Sequence, residues 1–126
     1  MLNAQISTDI LVVDDSADLR TLLAIVLMRE GMTTDQAESG EAAIRRLRQK
    51  SFRLVVSDVD MENGNGLWLL KKIQTEMPSL PVVLMSGGAI DEKTAIRSGA
   101  SGFLKKPFSL SVVQKTVCMA LKSGRK

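Results

Sequence analysis

LVVSDVDMENGNG, residues 54–66, decides how this chain is read. Three apolar residues, Leu54 to Val56, run into a serine and then into Asp58 and Asp60, which flank one valine ahead of two Asn-Gly pairs. A short apolar run that ends at once in acid and turn residues has the form of a strand buried on both faces and stopped at a polar edge. An Asp-x-Asp at such an edge suits two chemistries. It can be the nucleophile of a phosphate-cleaving enzyme or the acceptor of a transferred phosphoryl group.

Similar runs recur at Ile10 to Val13, Val82 to Met85 and Phe103 to Leu104, with a weaker one around Met32 to Ala37. Amphipathic segments separate them. Leu19, Leu22, Leu23 and Val26 repeat at helical spacing, with Ser16 as N-cap and Gly31 beyond the end. Ala43, Ile44 and Leu47 mark a second helix, and Leu67, Leu70, Ile73 and Met77 a third that Pro78 stops. A fourth, near Asp91 to Ser98, has only Ala95 and Ile96 to bury and should be the least tightly held; Val113, Val117, Ala120 and Leu121 form the stripe of a fifth. Strands alternating with helices predict an α/β fold with an open, doubly wound parallel sheet, whose ligands bind beyond the carboxyl ends of the strands.

The polar residues follow that rule. Asp14 and Asp15 come after the first strand, Asp58 after the third, Ser86 after the fourth and Lys106 after the fifth. Each alone has an ordinary explanation as a helix entry, a turn or a solvated lysine. Together they form a constellation of carboxylates, hydroxyl and ammonium at one edge. Mg²⁺ prefers hard oxygen ligands, and clustered carboxylates need a cation to offset their repulsion. Asp58 is then the nucleophile that forms an acyl phosphate, with Lys106 and the Ser86 hydroxyl binding the phosphoryl oxygens.

On these residues the chain resembles the receiver domain of bacterial two-component response regulators. VVDDS at 12–16, LVVSD ending at Asp58, LMSGG at 84–88 and SGFLKKPF at 101–108 carry the likeness, which covers essentially the whole chain as one domain, 1–126, with a core over 8–122 and a tail or linker after it. The resemblance implies a flavodoxin-like five-stranded sheet in the order 2-1-3-4-5 with five flanking helices. It implies that Asp14, Asp15, Asp58 and the main-chain carbonyl of Asp60 bind Mg²⁺, and that Asp58 accepts the phosphoryl group. Ser86 and Phe103 become the switch pair, Lys106 the phosphate-binding lysine, and Pro107 the residue after a cis bond.

The resemblance further implies a signalling domain rather than an enzyme. It would be charged by a histidine kinase or histidine phosphotransfer protein and promote only its own phosphorylation and dephosphorylation. Phosphorylation adds about −1.5 to −2 charges, and the surface of helix four, strand five and helix five would carry the output, to an output domain, a downstream protein or a homodimer.

The chain departs from the family pattern at several positions. Glu62 stands where many receivers have proline, and the Asn63-Gly64 and Asn65-Gly66 pairs add turn freedom, so a mobile loop is expected. Phe103 replaces the common tyrosine, so a switch through it rests on packing. Asp60 and Gly88, two residues beyond Asp58 and Ser86, are lifetime-tuning positions and suggest fairly fast autodephosphorylation.

Composition narrows the remaining choices. A chain of 126 residues, 44% hydrophobic, is sized for one core, with no run of about 20 apolar residues to span a bilayer. MLNAQISTD has neither the charge nor the apolar stretch of a leader, so a cytoplasmic protein is expected, with no membrane partner. The absence of histidine excludes histidine catalysis, and the single cysteine, Cys118, excludes an intramolecular disulfide. Cys118 is expected to be a small, partly buried hydrophobe, the seven methionines to fill the core, and Trp68 to cover part of helix three.

Residues 1–60 hold 7 Lys/Arg against 10 Asp/Glu, and residues 90–126 hold 8 against 2, or −3 and +6. The basic part is spread over more than one predicted element, which argues against direct nucleic-acid binding. A haloacid-dehalogenase-type phosphatase also uses Asp-x-Asp after a strand. It places acidic metal ligands after its lysine, however, and nothing from Pro107 to Lys126 is acidic. A receiver-like module that only binds is the other alternative, and the complete constellation argues against it.

Overall fold

The computed structural model describes residues 7–62 and 65–123. Five strands alternate with five helices. In chain order they are β1 Ser7–Val13, α1 Ala17–Arg29, β2 Thr34–Ala37, α2 Gly40–Gln49, β3 Ser51–Asp58, α3 Gly66–Glu76, β4 Val82–Ser86, α4 Glu92–Arg97, β5 Gly102–Lys105 and α5 Leu110–Ser123. The strands form one sheet in the order β2-β1-β3-β4-β5, and every pairing is parallel. The predicted fold class and strand order are those observed.

Alternation along each strand divides the core into two layers. Ile10 and Val12, Leu54 and Val56, Val83 and Met85, and Leu104 face α1 and α5, where Leu23, Val26, Leu27, Val113, Val117 and Ala120 meet them. Leu11, Val13, Val55, Val82 and Leu84 face α2, α3 and α4, packing on Ile44, Leu47, Leu69, Leu70, Ile73 and Ala95. Phe103 packs against this second layer. Register then brings the strand ends together: Val13 pairs with Ala37 and Ser57, Asp58 with Met85, and Ser86 with Lys105.

Side-chain caps start the helices. Ser16 accepts from the Leu19 amide, Ser39 from Ala42, Asn65 from Trp68 and Asp91 from Thr94, each satisfying a donor that the first turn leaves free. After α1, Gly31 takes φ 81°, a conformation that suits glycine at a helix end.

Several local expectations change. Leu22 is 45% exposed, and the inward stripe of α1 is completed by Leu27. β2 begins at Thr34 rather than Met32. α4 is confined to Glu92–Arg97, and Ala95 is its one buried side chain; Ile96, the next residue, lies about 100° round the helix and faces outward. Cys118 is exposed, lying off the Val113–Val117–Ala120 stripe. Met61 and Met85 are core residues, but Met28 and Met119 lie on the surface, and so in part does Trp68, whose ring the Lys72 ammonium overlies at 5.8 Å. Asn65 and Gly66 form no loose turn: Asn65 caps α3 and Gly66 opens it. The expectation for Asn63-Gly64 falls outside the described residues. No helix among the described residues is long and apolar enough to cross a membrane.

Candidate functional site

The carboxyl ends of β1 and β3, neighbours in the sheet, bring Asp14 and Asp58 side by side. Both are buried, Asp58 to 2% exposure, while Asp15 is exposed. One oxygen from each of Asp14, Asp15 and Asp58 falls in a cluster with all separations within 4.8 Å. Lys106, after β5, reaches over the sheet edge so that its ammonium stands 3.2 Å from Asp14 Oδ2 and 3.1 Å from Asp58 Oδ1. Its own amide donates to the Ser86 carbonyl at 2.9 Å, and the Lys106–Pro107 bond is cis.

Asp14 is held from all sides. Its amide donates to Ala37 O, its Oδ1 accepts from the Ser16 amide at 2.9 Å, and its carbonyl accepts from Arg20 Nη1 at 2.7 Å. Asp58 is held mainly through its backbone. The Ser57 hydroxyl donates to its carbonyl at 3.0 Å, and the next amide, Val59, donates to Met85 O.

Its side chain is less well satisfied. Asp58 Oδ1 is buried without a hydrogen bond; the Lys106 ammonium is in ion-pair contact with it but off the line of one. Burial, reinforced by the Asp14 charge, holds the Asp58 carboxyl above the usual carboxylate range, with Lys106 pulling the other way. Burial also opposes the charge of Lys106, but Asp58 and Asp14 outweigh it and raise the lysine. Three carboxylates against one ammonium leave a net negative cluster of hard oxygen donors. That donor set, in which Asp58 Oδ1 is buried and has an ion-pair contact with Lys106 but no aligned hydrogen bond, fits a small divalent cation.

Ser86 is fully buried at the end of β4, and its hydroxyl points into the loop that follows. Oγ accepts from the amides of Gly88, Ala89 and Ile90 at 3.2, 3.0 and 3.3 Å, and donates to Asp60 Oδ2 at 3.4 Å. Three donors thus crowd the two lone pairs of one oxygen. The Asp60 side chain is engaged with Ser86. At Gly88 a Cβ would meet nothing within 4 Å, consistent with open approach, although φ 150° disfavours any side chain there.

Phe103 stands apart from the acidic cluster. It lines a groove of about 900 Å³ between α4, β5 and α5, together with Ala89, Ile90, Lys105, Val112 and Thr116.

Two residues in this neighbourhood carry no motif. Arg20 donates through Nη1 to the Asp14 carbonyl and through Nε to Gln36 Oε1 of β2 at 3.0 Å; its one sequence signal is a charge on the flank of an apolar helical stripe. Gly66 lies against the backbone of Asp58 and Val59, closer than any Cβ could come. A glycine opening a helix soon after an acid-tipped strand is the only hint of that approach.

Comparison with known proteins agrees with this architecture. The family model described as the response regulator receiver domain matches residues 10–118. The transcriptional regulatory protein ZraR of Klebsiella oxytoca is 37% identical over 119 residues, 93% of this chain and 27% of that protein. The response regulator protein FleR of Pseudomonas aeruginosa is 42% identical over 101 residues, 79% of this chain and 21% of that one. The chain therefore spans about a quarter of the length of the curated relatives it matches. Among solved structures, the receiver domain of NtrX from Brucella abortus superposes with a TM-score of 0.86 at 37% identity, covering 91% of this chain and 99% of that domain. Vibrio cholerae chemotaxis protein CheY4 does so with a TM-score of 0.82 at 26% identity, over 93% and 99% of the two chains. With a family match across most of its length and a sheet of the same kind, the chain belongs to the response regulator receiver domains.

Proposed function

We propose that this receiver is a phosphorylation-dependent switch that takes a phosphoryl group onto Asp58 from the phosphohistidine of a histidine kinase or phosphotransfer protein. The observation that carries the reading is the buried Asp58 carboxylate, paired with Lys106 and clustered with Asp14 and Asp15. A carboxylate oxygen of Asp58 attacks phosphorus, the O–P bond forms, the N–P bond of the donor breaks, and the electron pair leaves on the imidazole. No proton has to be removed from Asp58, so the chain contributes position and charge.

Lys106 lies where it can bind a transferred phosphoryl oxygen while holding Asp14. Asp14, Asp15, Asp58 and the carbonyl of Asp60 are the residues that would hold Mg²⁺, which when bound supplies positive charge against the phosphoryl oxygens. Ser86 is the switch hydroxyl. If it turns to a phosphoryl oxygen, the amides of Gly88, Ala89 and Ile90 lose their acceptor, and those residues also line the groove with Phe103. The charge on Asp58 thereby becomes a change of shape at α4, β5 and α5, where a downstream domain, another protein or a second copy would read it. Asp60 and Gly88, two residues beyond Asp58 and Ser86, would set how long the phosphoryl group survives.

The test is Mg²⁺-dependent labelling by a small phosphodonor such as acetyl phosphate. One phosphoryl group per chain, lost in Asp58→Asn, is expected. Steady turnover of diverse phosphomonoesters would place the chemistry with the phosphatases instead, and absence of labelling would leave a module that only binds.

A further inference from the structure

Arg20 takes no part in the phosphoryl chemistry proposed above, yet it touches the acidic turn directly. From the first turns of α1 its Nη1 donates to the Asp14 carbonyl at 2.7 Å, and its Nε donates to Gln36 Oε1 at 3.0 Å. Gln36 lies on β2, paired in register with Val12 two residues before Asp14. One planar guanidinium thus spans α1, β1 and β2, with donors fixed in direction at both ends.

The remaining bonds to Asp14 act elsewhere. Its amide is tied to Ala37, Oδ1 to the Ser16 amide and Oδ2 to Lys106. Arg20 alone among these holds the carbonyl, and so the peptide plane joining Asp14 to Asp15. Rotation of that plane would swing Asp15, the exposed member of the carboxylate cluster, relative to Asp14.

We propose that Arg20 is a positioning residue for the divalent-cation site. By clamping the Asp14–Asp15 peptide, with Gln36 as its anchor, it sets how the two carboxylates face one cation. The inference rests on the cation-dependent reading given above. Positioning and simple charge make opposite demands: a guanidinium acting only through space repels a divalent cation, so its removal would tighten binding. Loss of a positioning contact weakens binding, typically roughly 10–100-fold for groups that orient metal ligands.

Calorimetric titration of the metal-free protein with MgCl₂ separates the two. Arg20→Ala is expected to weaken Mg²⁺ binding roughly ten-fold, while phosphoryl uptake at saturating Mg²⁺ returns toward the wild-type rate. Arg20→Lys, with a single donor point, recovers part of the affinity. Gln36→Leu, which leaves the charge in place, weakens binding by less and adds nothing in the Arg20→Ala background. Unchanged or tighter Mg²⁺ binding in folded Arg20→Ala, or a Gln36→Leu effect that adds in full, would overturn the assignment. If Arg20→Ala shows no urea unfolding transition, Arg20→Lys and Gln36→Leu decide the question by the same criterion of weakened Mg²⁺ binding. Wild-type protein that takes no Mg²⁺ would sink the cation reading together with this inference, whereas Mg²⁺ binding unmoved by these substitutions sinks only the role of Arg20.

Discussion

Gly66 packs directly on the main chain of Asp58: a Cβ at position 66 would overlap the Asp58 carbonyl oxygen and stand 2.9 Å from Val59 Cα. Both obstacles are backbone, which yields far less readily than a side chain. Gly66→Ala is therefore expected to destabilise the domain by about 1–3 kcal/mol, the usual cost of overpacking. The strain falls on Asp58, the proposed phosphoacceptor, so phosphoryl uptake should drop with stability. Urea unfolding and labelling measured together check this. An alanine variant of wild-type stability would show that α3 can shift away freely.

Asp58→Asn should make the unphosphorylated domain more stable. Burial and the Asp14 charge hold the Asp58 carboxyl above its ordinary value, so the folded state pays for its ionisation at neutral pH. A raised carboxyl binds its proton more tightly folded than unfolded. The advantage of asparagine is thus fully present above the folded pKa and disappears as pH falls below the ordinary value of 3.8. Thermal unfolding at neutral pH without added Mg²⁺ should show a rise of a few degrees, and a fall would mean that the ion pair with Lys106 outweighs burial.

Ser86→Ala removes the shared acceptor of three consecutive loop amides. Gly88 and Ala89 are exposed, so water can take its place. Amide exchange at residues 88–90 should accelerate, while global stability changes by no more than about 1 kcal/mol. Uniformly faster exchange across β4 and β5 would indicate loss of the sheet edge rather than of a loop acceptor.

Asp9 ties the start of the sheet together. Its carboxylate accepts from the Thr33 amide at 2.8 Å, from the Thr33 hydroxyl at 3.2 Å and from Arg53 at 3.3 Å. The Thr33 amide chiefly, with Arg53 and the Thr33 hydroxyl, holds its carboxyl below the ordinary 3.8. Stability from a depressed carboxyl is present above the unfolded pKa and lost as pH falls through the folded one. Asp9→Asn should cost on the order of 1 kcal/mol at neutral pH, and the gap should close below pH 3.8. A gap that persists in acid would assign the effect to shape alone.

The active edge was legible because each of Asp14, Asp58, Ser86 and Lys106 follows an apolar run, and a parallel sheet lines such ends up. What escaped had no period to display. β2 is TDQA, a short edge strand whose Asp35 faces Lys50 at 3.1 Å and whose Gln36 meets Arg20. Its polarity makes the strand the weakest signal of the five, blurs its start and conceals its side-chain partners. Ile96 faces outward because its neighbour Ala95 takes the inward position, and Leu22 because Leu23, Val26 and Leu27 define the inward face of α1. Arg20 and Gly66 act through the backbone of other residues, and contacts of that kind exist only after the strands have paired.

Asp14 and Lys106 are 92 residues apart in the chain, yet their side chains meet at 3.2 Å. The contact joins the ends of the first and last strands, so a growing chain can make it only after Lys106 has been added. Until β5 has docked, the acidic cluster of Asp14 and Asp58 lacks the Lys106 ammonium. If Asp58 is the phosphoacceptor proposed above, uptake of a phosphoryl group would then report a completed sheet edge, and a chain whose β5 is not yet in place would take up none.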